Sequence, residues 1–337
     1  MASDGWPAGD LESVTGCPCC GCGKRTLAHA NVQDWAFGCA PGLWNYWGCD
    51  QCRCLYLDPR PTSASIGKAY ARYYTHPGEG HGGLLASLKQ RLRNECWSHA
   101  LHTSLAPRLG LPRALGWTLS WLESRIVEPF GLRQMAERPK GLLLDVGCGN
   151  GDKLRLAQQL GWDARGIELD AAAVQAAQAQ GLRVVQGGYE LLAGYEGQAD
   201  CIVCSHVLEH VHAPVQMLRM LVAALKPGGV LLLSAPNASS SLRQHYGDNW
   251  RGLEAPRHLA IPDARWLVQW MQAAGLQCRQ VSPFAIETAI ESERIRRRSS
   301  RVVPADVVAA RQVLETITPA QPGQEDMVQL VCTKAMA

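Results

Sequence analysis

From residue 141 onward the chain alternates short, nearly continuous apolar runs with longer stretches whose apolar residues recur at helical spacing. The runs predict strands at 142–146, 164–168, 182–186, 200–204, 230–234, 276–282 and 328–332. The periodic stretches predict helices at 152–160, 171–180, 213–225 and 263–274, with stops at Lys226-Pro-Gly-Gly229 and Gly275. Strands apolar on both faces, separated by amphipathic helices, predict an α/β, doubly wound, mostly parallel sheet covered on both sides.

The stretch Leu142-Leu-Leu-Asp-Val-Gly-Cys-Gly-Asn-Gly151 leads this region. It reads as a buried strand, a glycine-rich turn and the start of a helix. Glycine suits a backbone that turns sharply and approaches a ligand with no Cβ in the way. Asp145 precedes the glycines at 147, 149 and 151, and Glu168 ends the next strand, where a carboxylate can accept from both hydroxyls of a ribose. The dinucleotide fingerprint G-x-G-x-x-G is the competing reading. Here the spacing is D-x-G-x-G-x-G and the helix opens with Asp152, poorly suited to a phosphate.

Ahead of the sheet lies a cysteine-rich module at 14–61. Cys17-Pro-Cys-Cys20-Gly-Cys22-Gly is followed by Cys49-Asp-Gln-Cys52-Arg-Cys54. Two C-x-x-C pairs this far apart suit a tetrahedral zinc site, and four thiolates leave no open position, so the metal is expected to be structural. Cys17/Cys20 and Cys19/Cys22 both have the form C-x-x-C-G; Cys17 and Cys20 are preferred, with Cys49 and Cys52 as partners. The connector at 62–140 holds a break at Pro77–Gly83 and a basic amphipathic helix with Leu84, Leu85, Leu88 and Leu92. A second helix is expected over 115–127. A helical cap on the sheet is favoured over contact with a membrane surface.

Composition narrows this little. The net charge of +3 over 337 residues does not argue for nucleic acid. No run is apolar and long enough to span a bilayer, the first residues lack a secretory signal, and fourteen cysteines point to metal ligands and reduced thiols rather than a disulfide framework. A cytoplasmic location is expected, with contact at the inner face of the membrane left open.

Asp145–Gly151, Glu168, Ala199-Asp-Cys-Ile-Val-Cys-Ser-His-Val-Leu-Glu-His-Val211 and Leu225-Lys-Pro-Gly-Gly-Val-Leu-Leu-Leu-Ser-Ala-Pro-Asn237 together resemble the landmarks of class I S-adenosylmethionine (SAM)-dependent methyltransferases. The resemblance covers about 140–334 and implies a Rossmann-like, seven-stranded sheet with an antiparallel last strand. It implies that Asp145, Gly147, Cys148, Gly149 and Gly151 hold the amino-acid end of SAM and that Glu168 and Leu169 hold the ribose. Gly188 and Tyr189 would meet adenine; Ser205 and His206 would face the reacting centre. The cysteine module, Asp58-Pro-Arg-Pro61 and the Tyr73-Tyr74 segment resemble a bacterial methyltransferase group with a small zinc module ahead of the catalytic domain. Arg53 and Cys54 depart from it, standing where that group has Gly and an apolar residue.

Methyl transfer from SAM is an in-line displacement, so a hydroxyl acceptor needs a base or a metal. His206, His210 and His258 are the candidate bases. His206-Val-Leu-Glu209-His210 resembles the E-x-x-E-H segment of ubiquinone-pathway O-methyltransferases and small-RNA 2′-O-methyltransferases, which implies a second divalent metal on His206, Glu209, His210 and His258. Trp250, Arg251 and Arg257 lie in a segment that resembles the acceptor cover of the bacterial group; bracing of the loop against Glu254 is the structural alternative. The expected function is methyl transfer to a small-molecule, glycan or lipid-linked acceptor, at oxygen. An RNA methyltransferase guided by the zinc module and a SAM-binding regulator without turnover are the alternatives.

Overall fold

A computed structural model describes residues 5–70, 84–111, 130–281, 286–317 and 323–336. The Pro77–Gly83 break, Tyr73, Tyr74, the side chains of Leu84 and Leu85, and the helix expected at 115–127 lie outside the described residues. The strands are β1 (Leu11–Glu12), β2 (Arg25–Val32), β3 (Trp44–Cys49), β4 (Leu55–Leu57), β5 (Arg60–Pro61), β6 (Leu142–Val146), β7 (Asp163–Glu168), β8 (Arg183–Gln186), β9 (Ala199–Ser205), β10 (Leu225–Pro236), β11 (Ala260–Ile261), β12 (Leu276–Gln280) and β13 (Met327–Lys334).

The seven expected strands of the catalytic region form one sheet in the order β12-β13-β10-β9-β6-β7-β8. β6, β7 and β8 run parallel, whereas β12 and β13 pair antiparallel. This is the seven-stranded, Rossmann-like methyltransferase order, with the last strand reversed as the resemblance implied. Leu143, Leu144, Ile202, Val203 and Leu231–Leu233 are almost fully buried, as both-face coverage requires. Helices Asp152–Gln159, Ala171–Ala179, Pro214–Ala224 and Ala264–Ala273 fall within a residue or so of expectation, each ending where glycine or a strand signal stops it. β10 begins earlier than expected, because Lys226-Pro-Gly-Gly229 is taken into the strand with Gly228 at φ +75°.

By contact the chain divides into two compact units. One comprises Met1–Tyr73, Cys204–Val222 and Leu233–Ala335; the other comprises Tyr74–Val203, Ala223–Leu232 and Met336–Ala337. The first holds the cysteine module. Its sheet has the order β11-β4-β3-β2, so a strand from the C-terminal half completes it. Trp44, Tyr46, Leu57, Leu253, Leu259 and Ile261 form its common core. In the second unit, helix Leu84–Ala100 buries Cys96 and Trp97, and Ala106 exchanges two hydrogen bonds with the side chain of Gln159.

One pair of thiols departs from the expectation of reduced cysteines. Cys278 and Cys332 stand directly opposite one another on β12 and β13 and form a disulfide. Sequence spacing gave no sign of it, because the pairing follows from the register of an antiparallel pair far apart in the chain.

Candidate active site

In the second unit the turn after β6 has the geometry that its glycines predict. Gly147, Gly149 and Gly151 have φ of +71°, +53° and +83°, in the left-handed region where a Cβ is disfavoured. A Cβ on Gly149 would meet nothing within 4 Å, whereas one on Gly151 would strike Leu182 at 2.2 Å. So Gly149 borders open space and Gly151 serves packing. Gly149 N–H donates to Glu168 Oε2 at 2.8 Å, and Asp170 N–H donates to Oε1 at 2.9 Å. The carboxylate at the end of β7 is thus fixed beside the turn, each oxygen keeping capacity for a further donor.

Asp145 is buried beneath this turn. Burial pushes its carboxyl up to about 7, with the Lys153 charge opposing and the Glu168 charge adding to the rise. Cys148 points its sulfur inward, since a Cβ on Gly166 would lie 2.5 Å from Sγ; only its backbone is available to a ligand. Leu169 is 72% exposed just past Glu168, an apolar surface beside the carboxylate. Gly188 and Tyr189 open the short 3-10 turn that follows β8, and Ser205 ends β9. An open glycine turn and an anchored carboxylate fit the amino-acid and ribose ends of SAM.

In the first unit, Glu209, His210 and His258 bring one ligand atom each within 4.8 Å of one another. Glu209 is fully buried, and its Oε2 has no hydrogen-bond partner. Burial opposes its ionisation, yet the hydrogen bond with His206, foremost, holds the carboxyl below its ordinary value. His258 Nδ1 lies 2.7 Å from the Gly252 carbonyl and His210 Nδ1 3.1 Å from the Arg257 carbonyl. A carbonyl only accepts, so both rings carry a proton on Nδ1, which leaves Nε2 as the atom that can face a ligand. Burial, foremost, brings His258 down to about 4, which keeps it neutral. Tyr70 Oη also lies 3.0 Å from His210 Nδ1. One carboxylate with an orphaned oxygen and two imidazoles fit a divalent cation.

His206, expected in the same set, lies outside it. Its Nδ1 meets Glu209 Oε1 at 3.2 Å while its side chain is half exposed, and its backbone has φ +57°. The i to i+3 spacing turns it toward the carboxylate from the solvent side, giving a histidine–carboxylate pair.

Both arginines of the expected acceptor cover pair with Glu254, the contact of the bracing alternative. Arg257 is wholly buried, donating to Asp34 from both terminal nitrogens, to the Ala69 carbonyl at 2.8 Å and to Glu254 at 3.2 Å. Arg251 pairs with the other oxygen of Glu254. Trp250 is buried, and its indole N–H donates to Asp326 at 3.0 Å. Guanidinium groups without counter-charges cannot be buried cheaply, and Asp34 and Glu254 supply them. Nothing in the sequence marked Asp34, which lies 223 residues from its partner.

In the cysteine module, Cys17 and Cys52 Sγ are 3.5 Å apart, as are those of Cys20 and Cys49, and all four lie within 4.8 Å. A tetrahedron of zinc–sulfur bonds of about 2.3 Å has edges of about 3.8 Å. The two knuckles also match bond for bond. Gly21 N–H donates to the Cys17 carbonyl and Arg53 N–H to the Cys49 carbonyl, while Cys17 N–H and Cys49 N–H reach the carbonyls of Cys22 and Cys54. Among the described residues it is Cys17 and Cys20 that converge with Cys49 and Cys52.

Residues 121–281 match the family model of a methyltransferase domain. A ubiquinone biosynthesis O-methyltransferase of Xanthomonas axonopodis pv. citri (strain 306) is 28% identical over 194 residues, which cover 50% of this chain and 72% of that protein. The enzyme of the same name from Xanthomonas campestris pv. campestris (strain B100) is 34% identical over 121 residues, 33% of this chain. The chain spans only 51% of the length of that second relative. A solved SAM-dependent methyltransferase from Archaeoglobus fulgidus covers 64% of this chain and 94% of its own, at 16% identity and a TM-score of 0.43. The strand order, the glycine turn and the match of residues 121–281 agree on a Rossmann-like methyltransferase fold for this region.

Proposed function

We propose that the protein transfers the methyl group of SAM to a hydroxyl of a small-molecule, glycan or lipid-linked acceptor, with a divalent cation on Glu209, His210 and His258 and a structural zinc on Cys17, Cys20, Cys49 and Cys52. The observation that carries the oxygen acceptor is the buried carboxylate and two imidazoles, an oxygen- and nitrogen-donor set of the kind that binds hard or borderline cations. The relatives named O-methyltransferases support it.

When bound, SAM supplies a methyl group on a positively charged sulfur. The cation supplies Lewis acidity that lowers the pKa of a hydroxyl acceptor. Gly147 and Gly149 admit the cofactor's main chain close to the turn, and Glu168 accepts from its ribose. Bound there, SAM would supply the methyl group that the acceptor oxygen takes up, with S-adenosylhomocysteine as the other product. The acceptor's proton goes to His206, whose Nδ1–H is held by Glu209 so that Nε2 carries the lone pair. Glu209 then balances the imidazolium charge.

The test is transfer from methyl-labelled SAM to catechol and phenol acceptors by protein stripped with EDTA and then given Mg2+, Mn2+ or Zn2+. Activity that returns only with added cation is expected. Unchanged turnover in stripped protein that retains one zinc removes the second metal from the mechanism. Failure of SAM and S-adenosylhomocysteine to give heat in calorimetry removes the cofactor.

A further inference from the structure

The two cysteine knuckles share one backbone pattern, and they differ at one position that the pattern makes costly. The residue after the second ligand cysteine is Gly21 at φ +76° in the first knuckle and Arg53 at φ +65° in the second. Glycine adopts that conformation without strain; an arginine there is held against its backbone preference. Arg53 borders a cavity of about 230 Å³, which Arg243 from the helix Ser241–Tyr246 also lines. Among the described residues neither arginine has an ion pair.

Arg243 is the less solvated of the two, and its Nε is buried with no acceptor. Its Nη1 lies 3.1 Å from His29 Nε2, while His29 Nδ1 lies 2.8 Å from Asp248. His29 therefore donates to Asp248 and accepts from Arg243, which makes it neutral and unable to balance the guanidinium. The Asp263 carboxylate is committed elsewhere, to two helix N–H groups and the Ser239 hydroxyl. Asp50 lines the same cavity and accepts from the Thr26 hydroxyl at 3.0 Å. The cavity thus holds two cations against one carboxylate, with the hydroxyl of Ser239 in its wall.

We propose that this cavity is an anion-binding site that takes a phosphate group, gripped between Arg53 and Arg243. Two guanidinium groups facing one space match the several acceptor oxygens of a phosphate and lose their mutual repulsion when it enters. The site is built from the second knuckle and the segment after β10, and it does not depend on the methyl-transfer reading.

Zinc-loaded, full-length protein titrated with inorganic phosphate and with glycerol phosphate, at fixed ionic strength, tests this by 31P line width and thermal unfolding. Saturable binding and a rise in Tm are expected. Equal affinity identifies free phosphate as the natural ligand, and tighter binding of the ester identifies an organic phosphate. Arg53→Gln, at an exposed position, should weaken binding about tenfold with an unchanged Tm in the absence of phosphate. Arg243→Lys should weaken it as well. Asp50→Asn, which removes the opposing charge, should strengthen it several-fold. No saturable binding of either probe up to about 20 mM, a concentration at which a millimolar site would be nearly filled, overturns the proposal. So does unaltered binding in Arg53→Gln accompanied by loss of zinc, which would assign the arginines to balancing the thiolates.

Discussion

The glycine turn and the histidine–carboxylate cluster achieve their chemistry by opposite means. The turn offers backbone: its function lies in three positive φ angles and in the space left beside Gly149. The cluster offers side chains, each locked by a neighbour: His258 by the Gly252 carbonyl, His210 by the Arg257 carbonyl, His206 by Glu209. The first is a continuous stretch of chain. The second joins 206–210 to a residue about fifty positions later, through a buried ion network that starts at Asp34. A backbone site fails when its conformation is denied, and a side-chain site fails when its support is removed. The two should therefore break independently.

The sharpest cut is His258→Ala. We expect methyl transfer to fall about 10³-fold, as for loss of several kcal/mol of charge stabilisation, while calorimetry finds SAM binding little changed. Equal loss of both would mean that the regions are not separable. Next is Arg257→Ala, which strands Asp34 without its cation and leaves Glu254 with Arg251 alone. It should cost about 3–5 kcal/mol in urea unfolding; a cost below about 1 kcal/mol, the level of an exposed pair, would show that the network is peripheral to the fold.

Asp145 gives a pH test on the glycine-turn side. Its carboxyl is raised from 3.8 to about 7, so the folded protein keeps a proton that the unfolded chain has released. Its contribution to stability is full below about pH 4, declines between about 4 and 7, and is flat above. Asp145→Asn should remove that decline, on the order of a few kcal/mol, when Tm is followed across the range. The smallest effect is expected from Gly149→Ala. The added methyl meets open space but not an easy φ, so SAM affinity should drop about tenfold with metal content unchanged.

Most of the sheet was legible because strands buried on both faces must be apolar throughout, and Leu142–Val146 or Val230–Ser234 have no other plausible place. The glycine turn was legible for a related reason: glycine spacing and a following helix are local. The first knuckle was ambiguous by spacing, since Cys17/Cys20 and Cys19/Cys22 both fit; among the described residues it is Cys17 and Cys20 that converge with Cys49 and Cys52. The roles of Trp250, Arg251 and Arg257 were not legible. An arginine in a loop looks the same whether it meets a substrate or a buried aspartate more than two hundred residues away. The Cys278–Cys332 pair was hidden likewise, in the register of β12 against β13.

Sequence alone determined the alternation of elements, the parallel character of the sheet, the turn that approaches the cofactor and the candidacy of the cysteines, because each depends on periodicity or on residues within a few positions. Tertiary structure decided which cysteines converge, that β11 completes the sheet of the cysteine module, that Glu209, His210 and His258 come together with His206 outside their cluster, and that the loop arginines meet buried carboxylates. The physical reason is the same in each case. Burial of charge and convergence of ligands are properties of which distant segments meet, and spacing along a chain carries no record of that.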